Sequence, residues 1–221
     1  MLKLAIDCAL RRINLGAADG EDFLGELSVD AGTRQSELLP GAARDFLMMF
    51  GLTVRDIGHI AVTTGPGYFT GIRVGLSYAA ALAESVGALV SGVSTLRAMA
   101  LPLMEALAAQ DAFSVVAPII PAGRDSFYAA MYGVQPGITT GGDILLGPSH
   151  IGTEELLDCL KARADSGGVV VTGYVPDGAL EKKSLRAVPP PSVARGVFMA
   201  ARLESPADPS EIRAVYLRRP C

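Results

Sequence analysis

The first hundred residues change hydrophobic period in a way that predicts their elements. Leu2 to Asp7 and Ile13 to Ala18 are short apolar runs on either side of the basic pair Arg11-Arg12, which predicts a β-hairpin with Asp7 at its inner end. Asp22 to Val29 predicts a third strand, closed by Ala31-Gly32-Thr33. The period then lengthens. Leu38, Ala42, Phe46 and Phe50 fall on one i, i+4 stripe and Leu39, Ala43 and Leu47 on the next, so a helix from Ser36 carries a wide apolar face that Met48 and Met49 extend. Ser36 is the expected N-cap and Glu37 a first-turn acid, while Pro40 should bend or delay the helix.

Ile60 to Val62 ends a buried strand, and Val74 onward runs Leu76, Ala79, Ala80, Leu82 and Ala83 at helical spacing. Gly75, Ala79, Ala83 and Gly87 recur at steps of four along one edge of that second helix, an edge that permits close approach of a neighbour. Arg73 opens the helix where the dipole disfavours a cation, so a salt bridge to a partner is its expected use. Further on, a strand at Ser91 to Ser94 leads into a helix over Thr95 to Ala109. Phe113 to Ile120 and Phe127 to Tyr132 predict a hairpin, Ile144 to Leu146 a short strand, and Thr153 to Lys161 a helix. Val169 to Thr172, a helix from Ser192 through Leu203 and a terminal strand Val215 to Leu217 complete the pattern. These elements divide into an N-terminal lobe, 1–109, and a smaller C-terminal α/β lobe, 110–221, with no internal repeat visible in the residues.

Between the strand at Ile60 and the second helix lies Thr63-Thr64-Gly65-Pro66-Gly67-Tyr68-Phe69-Thr70-Gly71-Ile72-Arg73-Val74-Gly75. A glycine-rich strand-to-helix turn presents free backbone N–H groups at a helix N-terminus, a setting that favours anions; it is equally what a tight structural turn requires. Two phosphate fingerprints fail here. The Walker A position for Gly-Lys-Ser/Thr holds Thr70 with no lysine in the turn, and a dinucleotide fingerprint counted from Gly65 finds Thr70 where its third glycine belongs.

The wording of the turn resembles the GPGSFTGLRVG signature of the bacterial TsaB family, through Gly65, Pro66, Gly67, Phe69, Thr70, Gly71, Arg73 and Gly75. Leu4-Ala5-Ile6-Asp7, Ser36 to Pro40, Gly92 to Leu96 and Val215 to Arg218 match in place and order, so the resemblance covers Leu2 to about Met99 and the C-terminus. Tyr68 stands where the family usually has serine, and Cys8-Ala9 where it usually has small hydroxyl residues. The resemblance implies an α/β protein of the actin-like ATPase superfold, built from two ribonuclease-H-like lobes with the second reduced. It further implies a non-catalytic scaffold with no cofactor and no metal, which binds a TsaD-like catalytic subunit that transfers a threonylcarbamoyl group to adenosine in tRNA. A TsaE-like ATPase joins the assembly, tRNA is reached only indirectly, and a homodimer forms when TsaD is absent. The expected partner surface combines Leu38, Leu39, Ala42, Phe46, Met49, Arg73, Leu76, Ala79, Ala80 and Ala83 of the two helices, laid side by side. Asp7, at the end of the opening strand, is either a vestigial or active metal-phosphate ligand or a carboxylate bonded to a nearby turn. The rival function is a small-molecule kinase or ATPase of the same superfold that uses Asp7 and the Gly65 to Gly71 loop.

Composition narrows this further. A formal net charge of −4 in 221 residues argues against a protein that grips nucleic acid by itself. No stretch of about 20 apolar residues occurs to span a membrane. Cys8, Cys159 and Cys221 form no CxxC pair, which fits a reducing cytoplasm. His59 and His150 are the only histidines, and neither has a second histidine at i+4, so no zinc or iron motif and no Ser-His-Asp pattern is encoded.

Overall fold

The computed structural model describes residues 1–110, 112–138, 142–164, 168–174 and 187–217. Arg218, part of the closing family match, and Cys221 lie outside the described residues.

The chain folds into two units, Met1–Ala98 with Ser192–Tyr216, and Met99–Pro191 with Leu217–Cys221. The first is built on a five-stranded sheet of β1 (Leu2–Asp7), β2 (Arg12–Asp19), β3 (Asp22–Asp30), β4 (Ile57–Gly65) and β5 (Leu89–Ser94), in the order β3-β2-β1-β4-β5. β1 pairs antiparallel with β2, and β2 with β3, whereas β1–β4 and β4–β5 are parallel. The pattern of each strand follows its place. β4 is apolar and buried almost throughout, as a central strand covered on both faces must be, while β3 at the edge is exposed at every second residue.

Two helices cover one face of this sheet: α1 (Gln35–Met48) and α2 (Phe69–Val86). Leu39, Ala43, Phe46 and Leu47 of α1 and Ala79, Leu82 and Ala83 of α2 join Leu4, Ile6, Leu15, Ile60 and Val62 in one core. α1 starts at Gln35 and not at Ser36, with no side-chain cap, because Gln35 faces inward and its amide makes other bonds described below. α2 ends at Gly87, whose left-handed conformation (φ 71°) closes the helix with an N–H bond to the Ala83 carbonyl. The step-of-four glycine at this position is therefore a C-cap.

The second unit carries β6 (Ser114–Pro121), β7 (Ser126–Val134), β8 (Ile144–Gly152), β9 (Gly168–Thr172) and the two-residue β10 (Ala187–Val188). Read from β8, its order is β8-β7-β6-β9-β10, with β6–β7 and β7–β8 antiparallel and β6–β9 and β9–β10 parallel. This is the topology of the first sheet over again. One α/β topology is thus built twice, although no repeat shows in the residues. Helix α3 (Thr95–Ala108) follows β5, and α4 (Thr153–Ala164) packs on β7, β8 and β9.

A division at 109/110 does not describe the molecule. The last helix, α5 (Val193–Ala201), returns to the first unit and packs on β1, β2, β4 and β5. Ser192 caps it, accepting the Arg195 N–H at 3.2 Å, and Gly16 of β2 has no side chain where Ala194 and Phe198 press in. Beyond α5 the expected terminal strand is not formed. Ala207 exchanges main-chain bonds with Val90 of β5, Ile212 packs on the first core, and the Val215 N–H donates to the Thr64 carbonyl at 2.7 Å. Isolated pairings of this kind do not make a ladder. No described helix is long and apolar enough to cross a membrane.

His59 on β4 is 8% exposed, pairs in register with Lys3 of β1, and holds its Nε2 2.9 Å from the Ser91 hydroxyl. Burial, with the Lys3 charge adding to it, holds its pKa below the usual value. The unfolded chain therefore binds a proton that the native chain resists, and stability falls as pH drops from about 6.5 through the native pKa. Thermal melts between pH 8 and pH 5 should show that loss, and His59→Gln should flatten it.

Candidate functional site

The glycine turn is built against the loop that follows β1. The Tyr68 N–H donates to the Ala9 carbonyl at 2.9 Å. A Cβ on Gly67 would lie 2.5 Å from that same oxygen, and one on Gly71 would overlap the Cys8 carbonyl oxygen. Gly65 adopts φ 114°, a value open to glycine, and a Cβ there would sit 2.6 Å from the Val215 carbonyl. Gly75 differs: its nearest neighbours would stand at ordinary contact, 3.6 Å or more. The three glycines of the turn, Gly65, Gly67 and Gly71, therefore serve close backbone packing.

Gln35 completes the junction. Its Nε2 donates to the Cys8 carbonyl at 2.7 Å and the Arg12 carbonyl at 3.0 Å, pinning the start of α1 to the same loop. Nothing in its spacing marks it; the only signal is a polar residue where the apolar stripe of α1 continues backward.

Asp7 is fully buried. It accepts hydrogen bonds from Asn14 Nδ2 at 2.8 Å, Thr63 Oγ1 at 2.7 Å and the Ala9 N–H at 3.1 Å. Burial raises its pKa, and the three donors pull it back. Asn14 in turn accepts from Ser28, which accepts from Arg12 Nε, so a polar chain crosses β3, β2, β1 and β4. Fully buried and accepting three hydrogen bonds, Asp7 has the surroundings of a carboxylate bonded to a nearby turn. Among the described residues no cluster of three metal-ligating side chains forms, and the His59 and His150 rings are bonded to Ser91 and Ser126 respectively.

Open surface lies on the other side of the turn. Helices α1 and α2 pack against each other, and a groove of about 410 Å³ runs between them, lined by Leu39 and Pro40 of α1 and by Phe69, Arg73, Val74 and Tyr78 of α2. Tyr68 ends the turn as N-cap of α2 without a side-chain cap bond, and its ring carries the Arg11 guanidinium at 4.2 Å. Phe69 is 40% exposed, lies 5.2 Å from the Tyr216 ring, and has the Arg73 guanidinium 5.0 Å above it. Arg73 makes no ion pair among the described residues.

The expected partner surface divides here. Leu39, Phe46, Ala79 and Ala83 are buried in the unit's own core, because the inner stripes of both helices face the sheet. They are core residues. Leu38, Ala42, Leu76 and Ala80 are half-buried, Met49 is 77% exposed and Arg73 is exposed. Thr70 is exposed on the first turn of α2.

A family model described as TsaD, tRNA N6-adenosine threonylcarbamoyltransferase, matches residues 29–184. The chain belongs to this family. An uncharacterized protein of Mycobacterium tuberculosis strain H37Rv is 37% identical over 99 residues, covering 43% of this chain and 46% of that protein. The tRNA threonylcarbamoyladenosine biosynthesis protein TsaB of Bacillus subtilis strain 168 is 27% identical over 140 residues, covering 62% and 58%. The chain spans about half the length of the curated relatives it matches. A crystal structure of a Pseudomonas aeruginosa protein with similarity to peptidase YEAZ superposes with a TM-score of 0.76 at 23% identity, covering 98% of this chain and 99% of that one, which shows a common fold. The chain is a TsaB-like member of the family.

Alanine substitutions should separate packing from propensity within the motif. Gly67→Ala and Gly71→Ala force a methyl group into backbone and should each cost about 2–4 kcal/mol. Gly75→Ala has room and should be neutral or stabilising by up to about 1 kcal/mol. Urea unfolding of the three variants reads the difference.

Proposed function

We propose that the chain is a non-catalytic accessory subunit in threonylcarbamoyladenosine formation on tRNA, which docks on a TsaD-type catalytic subunit through the α1/α2 groove. The observation that carries this reading is the contrast between the two sides of the turn. The Asp7 side is closed by hydrogen bonds and backbone contact, while the α1/α2 side leaves an apolar groove open, with the exposed Arg73, which makes no ion pair among the described residues, at its edge. An exposed apolar patch rimmed by charge is the form that interaction surfaces take. Membership of the family and the likeness to TsaB supply the pathway.

On this reading the docking residues are the groove-lining Phe69, Arg73 and Tyr78 with the exposed Met49, flanked by the half-buried Leu38, Ala42, Leu76 and Ala80. A TsaE-like ATPase joins the assembly, tRNA is contacted through the partner, and without the catalytic subunit the same face pairs two copies of this chain. The kinase or ATPase alternative would need Asp7 open to a metal-bound phosphate.

The purified chain should modify no tRNA alone, and addition of cognate TsaD-type and TsaE-type subunits with threonylcarbamoyl-adenylate should restore modification. Arg73→Glu and Met49→Arg, both at exposed positions, should each weaken capture of the TsaD-type subunit by roughly tenfold or more at an unchanged melting temperature. Modification by the isolated chain, or micromolar binding of ATP with magnesium in a calorimetric titration, would sink the reading.

A further inference from the structure

We infer that residues 207–216 form a releasable strap whose Tyr216 ring positions Phe69, so that attachment of the strap shapes the α1/α2 groove. The inference rests on the docking reading above for its consequence and on geometry for its existence. After α5 the chain passes the β5 edge, where the Ala207 N–H donates to the Val90 carbonyl at 2.8 Å and the Ala207 carbonyl accepts from the Val90 N–H at 3.4 Å. It continues onto the α1/α2 side. Ile212 packs over Gly92, where any larger side chain would meet it, and onto the first core. The Val215 N–H then bonds to the Thr64 carbonyl at 2.7 Å, and the Val215 carbonyl fills the space that Gly65 leaves.

Among the described residues, these few main-chain bonds, the half-buried Ala207, Pro209, Ile212 and Ala214, and the Tyr216–Phe69 ring contact tie the segment to the body of the unit. Val215 and Tyr216 are themselves 47% and 40% exposed. Few apolar contacts and exposed hydrogen bonds are the marks of a segment that opens locally, without global unfolding. The end of the strap nevertheless controls something. Tyr216 stacks on Phe69 on one side while Arg73 lies over the same ring, and both Phe69 and Arg73 line the groove. With the strap attached, the aromatic wall of the groove is held in one position; with it released, Phe69 loses its main aromatic neighbour. A wall fixed in advance costs a docking partner less ordering than one fixed on arrival, so an attached strap favours docking.

Hydrogen exchange and NMR on the intact chain, with capture of the cognate TsaD-type subunit, test this. The Ala207 and Val215 amides should exchange at least about tenfold faster than the Val62 amide in β4. Tyr216→Ala should shift the Phe69 ring resonances and weaken capture about three- to tenfold, whereas Tyr216→Phe keeps the ring and should capture normally. Exchange of the strap amides at the rate of Val62 would overturn the strap. Normal capture by Tyr216→Ala, where Arg73→Glu abolishes it, would overturn its effect on the groove while leaving the docking reading intact. Normal capture by both variants would overturn the docking reading and the strap's role in it together.

Discussion

The contact of two loops through their backbones sets the rest of the first unit. Cys8 and Ala9, after β1, meet Gly67 and Gly71 at distances that exclude a Cβ, and Gln35 ties the start of α1 to the same carbonyls. β1, β4, α1 and α2 therefore converge on one small junction. The direction in which α2 leaves β4, and hence the groove beside α1, depends on glycine at two positions and on an inward glutamine at a third. The feature that orders the helices is thus a close packing of main chain on main chain, which only glycine permits.

The inner end of β1 shows how a carboxylate can be kept without being used for binding. Asp7 lies where a metal-phosphate ligand would be sought, yet Asn14, Thr63 and the Ala9 amide consume its acceptors. A buried carboxylate so satisfied stitches three strands together at the end of the sheet, and removing one partner would leave the others facing an unpaired charge.

Much of the fold was legible in the sequence where periodicity is strong. The first three strands, α1, α2 and the β6–β7 hairpin announce themselves by period 2 or 3.6, and the motif from Gly65 to Gly75 marks the strand-to-helix turn. What stayed hidden has physical reasons. The duplication of sheet topology leaves no residue repeat, because the same strand order can be filled by different apolar side chains. The return of α5 to the first unit depends on contacts between residues nearly 200 positions apart, which no local pattern encodes. The partner surface was overdrawn because an apolar stripe looks the same whether it faces a sheet or a partner: Leu39, Phe46, Ala79 and Ala83 proved to be core, while Leu38, Leu76 and Arg73 remain outward. Gln35 was missed for the opposite reason, since a single amide bonding to main-chain carbonyls follows no spacing rule.

The passage of the chain along β5 has a further consequence, for solubility. β5 is the last strand of its sheet, and an uncovered last strand offers its main-chain groups as a template for pairing with another chain. Ala207 occupies both groups of Val90, and Ile212 fills the hollow over Gly92. The segment thus acts as a selvedge on the sheet, and a chain cut short before residue 207 would carry a raw edge on which copies could accrete during synthesis and storage.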